Sequence, residues 1–548
     1  MATAAARDRF SELPDDLLIH ILSFAPVREA ASTTALSRRW RRPLWLDTGA
    51  VNVDYRSYTT GGGGGGSDPL WTRVLDDITN ARLGLIRSSG RGPNKFTLVM
   101  RDDSMRTRDY GTLHAASSPE EDEEEDSSSI DDEEDSSGIE DEADPVGTAE
   151  EESAAGVVVP EEYVADAEEF RLEWLDYGRC TLPYSLRSVP FAALRVLELT
   201  GYALEPFSDR RQPLAFPCLE AMRLRRCRTK LATLQDIISA APKLADIHLE
   251  SVRFVDTLPN YSYRVRCPAA TVLLMANCGL ENLYFAGVCS IEVDAPRLRR
   301  LGCSVVTFQG TSFSFESPMT HLEEVHLALH SPAAIVRNRC MLNVDSMRHV
   351  RVLKLTAYSM GDLADTMSFY FPNLDLLEVE ELCGWCVQNH GAVARAVVSL
   401  LSCCPAVREV RLKFRWLEYL EEISEPDQIA AMSDLDDGDE DCCDDSDLQG
   451  LCRRCRLPCL QNSLRRVVIK FDTEKLTCLQ VRLVKFLAKN AMVLEEFVID
   501  GQKGYDSSRI HRKVARWQKQ RPSLYPLPPR KTPIPRLSEF PPLDRQCP

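Results

Sequence analysis

The 548-residue chain has 83 acidic and 65 basic side chains, a formal net charge of −18, and 44 % hydrophobic residues. That length exceeds one ordinary core, so two or more domains are expected. No apolar run reaches the ~20 residues of a bilayer span, and MATAAARDRF has no apolar signal core, so the chain reads as soluble and intracellular.

The acidity is local. Residues 120–152 hold nineteen acids and 434–447 nine more, with no Lys or Arg in either run. Against the remaining 55 acids, the 65 basic residues leave a mildly basic body. Runs of this kind read as solvated inserts, with a basic-partner mimic or a phosphorylated switch as the alternatives. Nineteen cysteines without a signal sequence imply reduced thiols, not a disulfide framework.

Residues 8–48 read as a compact helical block. In DRFSELPDDLLIHILSF, Pro14 suits a first helical turn, where a missing N–H costs nothing. Asp15 and Asp16 put negative charge at the positive end of the helix dipole. Leu17, Leu18, Ile19, Ile21, Leu22 and Phe24 then crowd nearly the whole circumference, although a surface helix needs only one apolar stripe. Two apolar faces imply one for the domain core and one for a partner. VREAASTTALSRRWRRPLW reads as short helices, with Thr33 or Thr34 capping the second and Pro43 stopping it. Six glycines at 61–66 are expected to form a flexible loop. A helix near Leu70–Leu85 and a strand over Phe96–Arg101 follow. The Ser/Asp/Glu tract at 117–156 is expected to be a disordered insertion.

From about 190 to 500 the chain repeats a unit L-x-x-L-x-L. The clearest copy is LEAMRLRRC, with Leu219, Met222, Leu224 and Cys227 in the repeat positions. Ten others follow the pattern, among them Leu194–Leu197–Leu199, Leu244–Ile247–Leu249, Leu280–Leu283–Phe285, Leu298–Leu301–Cys303 and Leu322–Val325–Leu327. Most spacings fall near the ~20–29 residues of leucine-rich repeats. The pair two apart lies on one face of a short strand. One unit cannot bury that face, but stacked units build a parallel sheet and a continuous core. Cys227 is small enough to meet backbone groups inside the turn. A 57-residue gap holds the second acidic run and reads as a loop between repeats. The competing reading is an ordinary α/β domain with strands at similar spacing. The proline-bearing tail from about 520 is expected to be extended, within a Pro-rich flexible division that starts at 504.

Several constellations point elsewhere. Cys452-x-x-Cys455, with Cys442, Cys443 and Cys459 nearby, has the spacing of one half of a zinc knuckle, but its partners are adjacent or irregular. Of His321, His326 and His330, His326 falls between Val325 and Leu327 on a strand, facing away from the core. The glycine run lacks a following GK[ST]. No GxSxG or HExxH motif stands in a supporting context. Arg223, Arg225, Arg226, Arg228 and Lys230 cluster in one repeat. Arg223 and Arg225 flank Leu224 on the outward face; a solvated face is the default, and an acidic target or the chain's own acidic tract is the functional reading.

The stretch from Asp8 to about Asp54 resembles an F-box of the plant F-box/leucine-rich-repeat type. The matching motifs are LPDDLLIHILSF, ALSRRW at 35–40, and Leu44, Trp45 and Leu46. Ala25 departs from it, where a bulkier residue is common, as does RRPLW. The segment 463–500 is similar to the FBD region that closes many such proteins, and reads strand, helix (Leu479–Asn490), strand. The resemblance implies a three-helix module that binds a Skp-family adaptor and, through it, a cullin carrying the RING subunit. Leu13, Pro14, Leu17, Leu18, Ile21, Leu22 and Trp40 would build the adaptor-binding surface or its support.

The expected fold class is α/β: a small N-terminal helical F-box, then an irregular leucine-rich-repeat solenoid with disordered acidic insertions. The expected divisions are an F-box (8–54), a linker and mixed segment (55–116), an acidic insertion (117–156), a solenoid (160–460), FBD-like terminal repeats (461–503) and a Pro-rich tail (504–548). The expected role is a non-catalytic substrate adaptor without cofactor or metal, in the nucleus or cytoplasm. A protein target would be held by Arg223, Arg225 and His326. An interaction scaffold with no ligase role is the alternative.

Overall fold

The computed structural model describes residues 12–59, 70–101, 163–175, 182–184, 192–204, 215–255, 262–280, 289–305, 311–316, 318–329, 348–357, 370–381, 390–414, 457–471, 478–501 and 508–520. The poly-Gly run, both acidic runs and Cys442, Cys443, Cys452 and Cys455 lie outside them.

One parallel sheet organises the molecule. Its fourteen described strands lie in chain order, beginning with β1 (Ala50–Asp54), β2 (Lys95–Arg101) and β3 (Glu169–Leu175), and ending with Arg466–Phe471 and Glu496–Asp500. Side chains alternate across each strand. In Val196–Thr200, for example, Leu197 and Leu199 are fully buried and Glu198 points outward. The first hydrophobic of each unit, such as Leu194, Leu219, Leu244, Leu298 and Leu322, is also fully buried or nearly so, just before its strand.

Backbone hydrogen bonds tie the turns together outside the strands as well. Ahead of each strand, one carbonyl accepts from two successive amides of the next turn. Arg195 O takes Glu220 N (2.8 Å) and Ala221 N (3.0 Å), and the pattern recurs through Arg465 and Glu495. At the far end of four successive strands, Gly201, Arg226, Ser251 and Asn277 adopt left-handed backbone with φ between 50 and 81°. The first three donate their N–H to the last carbonyl of the following strand, at 2.9, 2.7 and 2.7 Å. Gly201 is required there, because a Cβ would stand 2.4 Å from Trp174 O. The next residue in each turn, Tyr202, Cys227, Val252 or Cys278, is buried. The Cys227 thiol reaches Leu199 O and Arg225 O at 3.3 Å, as its place in the repeat suggested. Burial pushes that thiol up to about 11, so it stays protonated at neutral pH.

After this corner the chain adds short strands to a five-stranded sheet and returns by a helix or by a strand of a three-stranded sheet. The described helical returns are Leu70–Ser89, Leu231–Ala240, His390–Cys403 and Cys478–Asn490. Where the return changes from Leu231–Ala240 to the strand Ser262–Arg266, a cavity of ≈ 20 Å³ remains, walled by apolar side chains including Leu234, Phe254, Val265 and Met275. Such a space stays dry and is a packing gap rather than a site.

Four expectations need revision. The repeat strand of this turn is Val272–Ala276, with Leu273 and Met275 buried behind Ala270, rather than the unit expected at Leu280–Leu283–Phe285, of which Leu283 and Phe285 lie outside the described residues. The first described strand of the sheet, Ala50–Asp54, lies inside the span expected for the F-box, 8–54. The helix expected near Leu70–Leu85 and the strand expected over Phe96–Arg101 are present, as Leu70–Ser89 and Lys95–Arg101, but they belong to the solenoid and its sheet rather than to a linker. Within the expected flexible tail, Ser508–Lys519 is a helix with Ile510 and Val514 buried and Trp517 packed on the core. The strand–helix–strand order near the C-terminus does appear, as Arg466–Phe471, Cys478–Asn490 and Glu496–Asp500.

Candidate adaptor-binding surface and open sheet face

The N-terminal block is built around α1 (Asp15–Leu22), which Pro14 opens with extended backbone (ψ 151°). Leu18 and Leu22, one turn apart, enter a small core with Ala30, Trp40 and Leu44. Leu17, Ile21 and Phe24 follow at the same helical spacing but face outward, 49, 46 and 64 % exposed. Leu36, beyond α2 (Val27–Ser32), is 69 % exposed. The seven motif residues therefore divide. Leu18, Leu22 and Trp40 form the support, with Leu13 packed against it, while Leu17 and Ile21 are presented. Pro14 is exposed at the helix start.

Arg39, which sequence reasoning did not single out, ties the ALSRRW segment to α1. Its Nε donates to Asp15 Oδ1 at 3.0 Å and its guanidinium also donates to Leu13 O. Thr33 and Thr34 do not cap the start of a helix. They follow α2 and donate to Ala30 O and Ala31 O at 2.6 and 2.8 Å.

The block is docked on the first strand. Asn52 on β1 donates through Nδ2 to Ser23 O at 2.7 Å and Ala25 O at 3.3 Å. Arg28 pairs with Asp77 at 3.1 Å, donates to Ser57 O at 3.2 Å and lies 4.5 Å over the Tyr58 ring. Tyr58 donates to Asp77 at 2.8 Å; burial first, then this bond, raises its hydroxyl pKa. Val27 belongs to the solenoid core, and Trp45 packs against both cores.

Residues 10–42 match the model of the F-box domain. Residues 166–315 match the repeats described as FBD-associated F-box protein At5g56370, LRR repeats. This chain joins an F-box to leucine-rich repeats. Among curated relatives from Arabidopsis thaliana, the F-box/LRR-repeat protein At3g59200 is 38 % identical over 94 residues, 17 % of either chain. The putative F-box/FBD/LRR-repeat protein At5g44950 is 45 % identical over 82 residues, 15 % of this chain and 17 % of its own. The F-box/LRR-repeat protein At4g14103 is 56 % identical over 41 residues, 8 % of this chain and 11 % of its own. The chain thus spans less than a fifth of the length of these relatives.

The repeats present their outward side chains on the open face of the sheet, where charges pair between neighbouring strands. Glu198 meets Arg171 (3.6 Å) and Arg223, and Arg225 meets Glu250 at 3.1 Å. Glu324 takes both Arg300 and Lys354 at 2.7 Å; burial opposes its charge, but the two cations hold its carboxyl below the usual range. Arg223 and Arg225 thus have internal acidic partners. His326 is exposed and lies 3.2 Å from Thr356 Oγ1.

Register sets Arg223, His248, Leu274, Gly302 and His326 in one row. Arg223 and His326 are therefore four strands apart, roughly 19 Å along the sheet. Between them Val272, Leu274 and Ala276 form a rung with only aliphatic outward side chains. Leu274 lies over Gly302, where a Cβ would come within 2.5 Å of its Cδ2. His321 is exposed in the preceding turn, and His330 lies outside the described residues. Cys459 is buried and reaches Leu401 O at 3.4 Å.

Proposed function

We propose that this chain is the substrate-receiving subunit of a Skp-cullin-F-box ubiquitin ligase, acting in the nucleus or cytoplasm without chemistry of its own. The observation that carries the reading is the exposed pair Leu17 and Ile21 on α1, continued by Phe24 just beyond its end, while Leu18 and Leu22 of the same helix are buried. Burying a Leu, Ile or Phe side chain yields roughly 1.5–3 kcal/mol, so the three together give a partner a substantial anchor. A Skp-family adaptor would seat there, bringing the cullin and the RING subunit. A protein target would lie on the open sheet face, on the aliphatic rung at Leu274 between Arg223, Arg225 and His326. Holding the target beside the charged conjugating enzyme raises the local concentration of its lysines.

The test is co-purification of the full chain with a Skp-family adaptor. The intact chain retains the adaptor, and Leu17→Asp/Ile21→Asp loses it with an unchanged melting temperature, because both residues are already exposed. A folded intact chain that retains no adaptor would sink this reading in favour of an interaction scaffold.

A further inference from the structure

The charges of the solenoid are unevenly satisfied. Along the open face, Arg171, Arg223, Arg225, Arg300, Lys354, Arg411 and Arg466 all have carboxylate partners. The terminal helix Ser508–Lys519 is different. It reads SRIHRKVARWQK, without a single acid. Ile510, Val514 and Trp517 turn toward the core, while His511, Arg512, Arg516 and Lys519 are exposed. Arg512, Arg516 and Lys519 recur at i, i+4 and i+7 and so share one face. Among the described residues none of these three, nor Lys513, has an ion pair. The helix it packs against is Cys478–Asn490.

We propose that the exposed basic face of Ser508–Lys519 holds this chain's own acidic run 434–447. Charge complementarity is direct: the run has nine acids and no cation, and the exposed helix face has cations and no carboxylate. The chain's connections supply the second argument. The run lies between the strand Glu409–Phe414 and the helix Pro458–Asn462, which packs against Cys478–Asn490. The strand before the run is two strand spacings from the last strand, about 10 Å. The ten residue steps from Asp447 to Leu457 span at most roughly 35 Å, ample for that distance. Contact within one chain gains an effective concentration of order millimolar. The other acidic run, 120–152, is tethered between β2 and β3, at least eleven spacings or roughly 50 Å from the last strand. Single exposed ion pairs contribute little, so the contact depends on several at once and dissolves in salt.

Carbodiimide coupling of the full chain at low salt, read by mass spectrometry, tests this. Amide links are expected from Lys513 and Lys519 to carboxylates of 434–447, falling several-fold in Arg512→Gln/Arg516→Gln and in high salt. A short DNA duplex serves as a competing polyanion. A variant with the acids of 434–447 changed to Asn and Gln should bind it roughly tenfold tighter than the unaltered chain. Links confined to residues 120–152 or to a second copy overturn the proposal, as does equal duplex binding by both chains.

Discussion

His326 shows how a solvent-facing residue is still governed by its neighbours. Burial, then Lys354, lowers its pKa below the ordinary 6.5, while Glu380, Glu378 and Glu324 oppose that shift. The imidazole is therefore neutral at physiological pH and takes its proton later than in an unfolded chain. The sign follows: its contribution to stability is complete above about 6.5 and is lost as the pH falls toward its lower folded value. An imidazole NMR titration of the full chain should show a midpoint below 6.5, and Lys354→Gln should move it upward by removing the nearby cation. A downward move would contradict the arrangement. At this scale α1 is equally instructive. Two apolar faces were legible from Leu17 to Phe24, but which residues support the core and which are presented depends on where α2 and Trp40 pack.

At the scale of elements, the terminal helix packs against Cys478–Asn490 and extends the core. Ile510 and Val514 are 5 and 4 % exposed, and each Ile or Val truncation in such a site costs a few kcal/mol. Ile510→Ala/Val514→Ala should lower the melting temperature of the full chain clearly. Arg512→Gln/Arg516→Gln, on the other face, should leave it nearly unchanged. The pattern of Ile510, Val514 and Trp517 was present in the sequence, but the prolines beyond Arg521 dominate the local composition and mask it. The misplaced repeat has a similar cause. Ala270 stands where the units read from the sequence have Leu or Val, so the pattern jumped to Leu280 and gave one gap too long and the next too short. β1 was missed because Val51 and Val53 follow closely on the F-box motif and look like its end. Units with Leu or Val at all three positions were legible because burial on one face demands them.

At the scale of the molecule, the F-box and the repeats share a border rather than a tether. Asn52 is 9 % exposed and satisfies two carbonyls of the α1–α2 turn. Asn52→Ala leaves both without that donor, at a cost of about 1–3 kcal/mol. Hydrogen exchange should then show faster amide exchange in α1 and α2 while Val272–Ala276 keeps its protection. Equal loosening throughout would mean the two parts fold as one indivisible unit.

The same border fixes an origin for distance. Each step along the parallel sheet is about 4.8 Å, and thirteen steps separate the first strand from the last. With the F-box seated on the first strand, the sheet works as a graduated ruler with its zero at α1. A guest one rung farther along is displaced by one graduation, so the choice of rung sets how far a bound molecule lies from whatever grips Leu17 and Ile21.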